Sequence, residues 1–204
     1  MPVVSLLLLL YPVLVRVAMS TGNAWVAAAA ILFLAVLIFA PLGLSGRTWA
    51  WLLLLLIGAA AAALAHYGGS EIMLFLPPIL IPLALAWFFG RTLLPGSQAL
   101  ISRISEALRR EPLPPEVARY TRRVTWFWVG YFLFVAIEAA TLPWLVSRET
   151  WWLCTHVLNW VAVPTALVIE YLYHSRKYPN NVHHSLADFL KDLARVDYRK
   201  LLAD

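Results

Sequence analysis

TWAWLLLLLIGAAAAALAH, residues 48–66, runs for nineteen positions without an acidic or basic side chain other than its terminal histidine. The hydrocarbon core of a bilayer is about 30 Å thick and takes roughly 20 apolar residues of helix, so this stretch is long enough to cross it. Hydrocarbon offers no partner for a free N–H or C=O, which makes helix the form such a stretch adopts. Five more stretches are apolar enough to qualify, at approximately 3–19, 24–40, 71–89, 124–146 and 151–173. The expected fold is therefore all-α: a polytopic membrane helix bundle of six transmembrane helices. It forms one domain over residues 1–173, with a cytoplasmic tail at 174–204.

Composition supports this reading. Hydrophobic residues make up 62% of the 204-residue chain and charged residues 13%, against about 25% charged in a globular protein. So few charges cannot cover the surface of a soluble domain of this size. Disordered, coiled-coil and disulfide-scaffold classes are excluded as well, and the single cysteine, Cys154, forms no internal bridge. No lysine or arginine precedes the first stretch. A cleaved signal peptide has a positive start, so the stretch is expected to remain as a span.

The connections sort by charge. Segment 90–123 carries Arg91, Arg103, Arg109, Arg110, Arg119, Arg122 and Arg123 against three glutamates. The tail carries Arg176, Lys177, Lys191, Arg195, Arg199 and Lys200, and Arg47 lies between the second and third spans. With six spans these fourteen basic residues fall on one side, and the opposite connections, 20–23, 67–70 and 147–150, hold Arg148 alone. The positive-inside rule places the basic side, and with it both termini, in the cytoplasm of a bacterial inner membrane. The net charge of +5 is thus a topology signal and gives no reason to expect nucleic acid. Tryptophans near the span ends (Trp25, Trp144, Trp151 and Trp152 outside; Trp49, Trp51, Trp87, Trp126 and Trp128 inside) match interfacial belts, with Trp160 deep.

Two amphipathic helices are expected on the cytoplasmic side. One covers about 97–110, with Ser97 as N-cap and Leu100, Ile101, Ile104 and Leu108 on one face. After the turn at 111–115, a short helix of sequence EVARYTRRV leads into span five. The other amphipathic helix covers about 185–203, capped by Ser185. Such helices rest in the headgroup layer, pack on their own protein or dock a partner.

Catalytic templates fail. Gly43-Leu44-Ser45-Gly46 with His66 invites comparison with rhomboid-type intramembrane proteases, but twenty-one residues at about 1.5 Å each set Ser45 and His66 roughly 30 Å apart if the intervening helix is continuous. A nucleophile and its base need hydrogen-bond reach. No His-x-x-x-His or Cys-x-x-Cys metal spacing and no phosphate loop occurs, and His183-His184 reads as a solvated pair. No catalytic residue, metal or cofactor is expected.

Ionisable groups inside spans are costly and mark candidate sites. Arg16, Glu138 and His156 sit roughly 5–9 Å outward of the midplane by rise per residue, and Asn159 lies one turn from His156. Three readings stay open: an Arg16–Glu138 ion pair joining two helices, Arg16 reaching outward by itself, or a substrate or proton site built from Arg16, Glu138, His156 and Asn159. Glu170, near the cytoplasmic end of span six, is expected to meet a basic residue such as Arg91 or Arg47.

Phe89-Gly90-Arg91-Thr92-Leu93, Pro95-Gly96, Ile101-Ser102-Arg103-Ile104, Leu113-Pro114-Pro115 and Tyr120-Thr121-Arg122-Arg123-Val124-Thr125-Trp126, followed by Leu158-Asn159-Trp160 and Glu170-Tyr171-Leu172-Tyr173, resemble a family of small bacterial inner-membrane proteins. That family is encoded within gene clusters for aryl-polyene and xanthomonadin-type pigments, alongside fatty-acid-synthase-like enzymes and acyl carrier proteins. The likeness covers residues 85–178 best. It implies a pathway rather than a reaction, and it carries over no catalytic residue. On that resemblance the expected role is an inner-membrane accessory or scaffold protein of polyene-type lipid biosynthesis or export. Its basic loop would recruit an acidic acyl carrier protein or soluble acyl-handling enzymes, or bind anionic lipid headgroups of the bilayer. Two alternatives are a small transporter or flippase-like protein using the polar intramembrane groups, and an integral membrane acyl- or glycosyltransferase.

Overall fold

The computed structural model describes residues 10–109 and 112–177. Among them the secondary structure is helical, with no strand: α1 (Leu10–Thr21), α2 (Ala24–Leu44), α3 (Thr48–His66), α4 (Ser70–Arg91), α5 (Leu100–Arg109), α6 (Pro115–Leu145), α7 (Arg148–Leu153) and α8 (Asn159–Lys177). A π-helical turn, Cys154–Leu158, joins the last two. The helix expected at 185–203, with His183-His184, lies outside the described residues.

Among the described residues five helices are long and apolar enough to cross a membrane: Ala24–Leu44, Thr48–His66, Glu71–Arg91, Pro115–Leu145 and the continuous run Arg148–Arg176. The first expected span is represented by α1, a shorter apolar helix of 12 residues. The expected short helix EVARYTRRV is the first part of α6, which runs unbroken for 31 residues through Pro143.

The described residues form two compact units, divided at 80/81, 138/139 and 157/158. In the first unit, α1 packs on α2 and α2 on α3. Gly22 (φ +64°) turns the chain between α1 and α2, and Asn23 then caps α2 by accepting from the Trp25 N–H at 2.9 Å. The α2–α3 turn expected at Gly43–Gly46 is present. Ser45 closes α2, Gly46 takes φ +90°, and α3 begins at Thr48. Ser45 and His66 therefore flank an unbroken helix of 19 residues, and a serine–histidine dyad is geometrically impossible.

Packing in this unit is inside-out relative to a soluble protein. Ala27, Ala28, Ala30, Ala61 and Ala65 fill the buried contacts with Tyr11, Val15, Met73 and Leu74. On α3, Leu52, Leu55 and Leu56 are 62–70% exposed on one face, while Ala50 and Leu54 are buried. Small residues let helix backbones approach where lipid removes the usual hydrophobic drive for association. A leucine stripe turned outward would be an aggregation surface in water and suits a hydrocarbon solvent.

The second unit is organised around α5 and the first half of α6. Phe89, Leu93, Ala99 and Val129 pack together, with Phe89 edge-on to Phe132 at 5.3 Å. Ser97 lies three positions before α5 and does not cap it. Ala99 holds the cap position, and its carbonyl accepts from the Arg103 N–H at 3.0 Å. The first free N–H groups of α5 are met from elsewhere in the chain: Thr92 Oγ1 accepts from Leu100 N at 3.0 Å, and Thr125 Oγ1 from Ile101 N at 3.4 Å. These donors are ones a helix leaves unpaired by construction.

Candidate functional site

The basic segment is a built element of the second unit. Buried hydroxyls on α6 hold α5. Thr121 Oγ1 donates to its own helix at the Val117 and Ala118 carbonyls (3.0 and 3.1 Å), so the Ser102 hydroxyl, 2.7 Å away, is the donor in the Ser102–Thr121 bond. Thr125, with no exposed surface, donates to the Thr121 carbonyl at 2.9 Å. Arg122 clamps the preceding turn through a 2.5 Å bond from Nη2 to the Leu93 carbonyl. Glu106 closes the far side by accepting from Leu113 N at 3.2 Å.

This framework sorts the seven arginines. Arg122 is committed to Leu93, and Arg103 is half-buried. Arg91, Arg119 and Arg123 are exposed. Arg91 lies over the Phe88 ring at 5.0 Å, and Arg119 Nε makes a 3.4 Å bond to the Pro115 carbonyl. Arg109 is the last residue of α5, and Arg110 lies outside the described residues. Nearby on the same unit, Glu170 accepts from the Tyr120 hydroxyl at 3.3 Å, where a basic partner had been expected, and Tyr120 stacks on Tyr173 at 5.8 Å.

The four polar residues expected within spans each have neighbours in their own unit. Arg16 Nη2 binds Glu149 Oε1 at 3.1 Å, and its guanidinium lies 5.4 Å from the centre of the Trp152 ring. Glu138 Oε2 accepts from Asn159 Nδ2 at 3.1 Å. Arg16 and Glu138 thus each have a partner within their own unit. The reason is position. Arg16 is five residues from the end of α1, close enough to reach outward toward the first turn of α7, where Glu149 sits. The two side chains are 42% and 77% exposed, so neither charge is enclosed by the protein. A second exposed pair, Arg148 with Glu71, joins the starts of α7 and α4. Neither Glu149 nor Glu71 is conspicuous in the sequence, because both lie at span ends where carboxylates attract no notice.

His156 is buried within the π turn. Its ring adjoins Tyr11 (5.8 Å), Trp151 (5.4 Å) and Trp152 (6.4 Å). Trp151, expected at the interface, is instead 1% exposed, donates to the Ala139 carbonyl at 3.2 Å and meets Phe75 edge-on. Trp152 donates to the Pro12 carbonyl at 3.2 Å, which ties α7 to α1. Trp128, also expected at an interface, is buried, whereas Trp25 and Trp144 remain exposed. Among the described residues no group of His, Cys, Asp and Glu is arranged to hold a metal ion.

No family model, no curated protein and no solved structure matches this chain.

Proposed function

We propose that this chain is an inner-membrane accessory protein of polyene-type lipid assembly that docks an acidic acyl carrier protein on the arginines of segment 90–123. The reading takes six spans with both termini cytoplasmic, α1 being the outer part of the first. It rests on one observation. α5 and the turn at Leu93 are held to α6 by the Ser102–Thr121 bond and by the Arg122–Leu93 clamp, while Arg91, Arg119 and Arg123 stay exposed. Cations presented on a rigid element lose less conformational freedom on binding than cations on a loose loop. The choice of carrier protein as the anion follows from the family resemblance.

A basic residue beside an anionic surface contributes about 1 kcal/mol, so three contribute about 3 kcal/mol, roughly a hundredfold in affinity. The test uses full-length protein in nanodiscs of neutral lipid, titrated with acyl carrier protein at low salt. Replacing Arg91, Arg119 and Arg123 together by glutamine is expected to weaken binding about a hundredfold and to flatten its salt dependence. Equal binding by the triple variant refutes the docking surface. Binding that appears only with anionic lipid assigns the arginines to headgroups instead.

A further inference from the structure

The buried Tyr11–His156 contact carries a second inference, independent of the loop. Both residues belong to the first unit, and both are more than nine-tenths buried, at 6% and 4% exposed. The Tyr11 hydroxyl and His156 Nε2 are the two buried side-chain polar atoms with no hydrogen-bond partner among the described residues.

The tautomer of His156 follows from its neighbour. Thr155 Oγ1 lies 2.8 Å from the Trp151 carbonyl, which can only accept, so the threonine proton points there. The same oxygen is 2.7 Å from His156 Nδ1. With its proton spent, Oγ1 accepts, and Nδ1 carries the hydrogen. A neutral imidazole protonated at Nδ1 has a bare lone pair at Nε2. The site therefore presents one acceptor, Nε2, and one hydroxyl, Tyr11 Oη, walled by the rings of Trp151 and Trp152.

An unmet buried donor or acceptor loses its bonds to water and gains none in return, and apolar walls offer no relief. The backbone reinforces the point. The π turn at Cys154–Leu158 interrupts an otherwise regular helix and carries His156 at its centre. Single π turns inside α-helices cost regular hydrogen bonding and recur at functional sites.

We infer that Tyr11 and His156 form a binding site for one neutral O–H group, which donates to His156 Nε2 and accepts from the Tyr11 hydroxyl. The group must be uncharged, because tryptophan walls offer an anion no compensation. Two sources share this chemistry, a water molecule and the hydroxyl of an amphipathic alcohol lying along the helices.

The experiment reads the imidazole directly. Full-length protein in nanodiscs, labelled with 15N-histidine, is compared with His156→Gln to assign the His156 signals among the five histidines. Should that variant fail to fold, the assignment comes from protein in which the other four are replaced. The expected spectrum has Nδ1 protonated and Nε2 unprotonated, the latter displaced upfield of a free nitrogen by an accepted hydrogen bond. A long-chain alcohol bearing a diazirine then separates the sources. Photolabel on the peptides containing Tyr11 or His156, falling about tenfold in Tyr11→Phe, assigns the O–H to an amphipathic alcohol. A hydrogen-bonded Nε2 without label that persists in Tyr11→Phe assigns it to water, and one that is lost in Tyr11→Phe marks the Tyr11 hydroxyl itself as the donor and overturns the site. An Nε2 at the free position, or one that carries the proton, overturns the site.

Discussion

Replacing Thr121 by valine removes one hydroxyl at nearly constant volume and tests whether segment 90–123 is a rigid platform. Thr121 is 2% exposed and its Oγ1 accepts from Ser102 at 2.7 Å, Ser102 being 3% exposed. In the variant the Ser102 hydroxyl becomes a buried donor without its acceptor. The penalty for such a group is about 1–3 kcal/mol, larger than the roughly 1 kcal/mol net value of an ordinary hydrogen bond. Ser102→Ala alone removes the donor and spares the desolvation penalty, so it is expected to cost about 1 kcal/mol. The double variant should be more stable than the two single effects summed, with a coupling of about 1 kcal/mol. Thr121→Ser, which keeps the acceptor, should stay near wild type. Equilibrium unfolding in mixed micelles gives the four stabilities, and limited proteolysis between residues 94 and 114 reports whether the loop has come away from α6. Strict additivity, or a Thr121→Val protein whose loop resists protease as wild type does, would refute the claim that this bond holds the platform.

Other expectations follow from the same geometry. Arg16→Met should cost more than Glu149→Gln, because arginine loses both an exposed ion pair of about 0.2–1 kcal/mol and a ring contact of about 0.5–1 kcal/mol; equal losses in thermal unfolding would argue against the Trp152 contact. At Gly43 an added Cβ would stand 2.5 Å from Trp51 Cε2. Gly43→Ala should therefore destabilise by about 1–3 kcal/mol, and Trp51→Leu in the same chain should recover part of it; an unchanged melting temperature for Gly43→Ala would show that the ring moves freely. For orientation, a periplasm-dependent reporter fused after Asp204 should be silent and one inserted at Gly68 active, and the reverse pattern would invert the proposed topology.

Much of the helical layout is legible in hydropathy. Expected spans at 24–40, 48–66 and 71–89 correspond to helices at 24–44, 48–66 and 70–91. A run of some twenty apolar residues has one outcome in hydrocarbon, and local composition suffices to locate it. The partners of polar groups are not local. Arg16 and Glu149 are 133 positions apart, and nothing in either neighbourhood marks the other. Estimated depth pointed to Glu138, but depth along a helix leaves out the reach of an arginine side chain, which brings Arg16 to Glu149 in the first turn of α7. The start of α5 was misplaced for a similar reason. Ser97 has cap chemistry, yet Thr92 and Thr125 satisfy the first turn from outside the helix. The π turn has no sequence signal, since Cys154–Leu158 has the composition of an ordinary helical stretch. Tryptophan position alone did not separate the buried Trp151 and Trp128 from the exposed Trp25 and Trp144, because burial depends on which helix lies opposite.

The docking claim is tested most directly by site-specific photocrosslinking in the native membrane, with a benzophenone amino acid placed at Arg119 on the exposed basic surface or at Trp144, which is 88% exposed near the other end of α6. The proposed function predicts a light-dependent adduct at position 119 that mass spectrometry identifies as acyl carrier protein by its phosphopantetheine arm. It also predicts no such adduct at 144, and loss of the one at 119 when Arg91 and Arg123 are replaced by glutamine. No carrier adduct at 119, or equal yields at both positions, would contradict it.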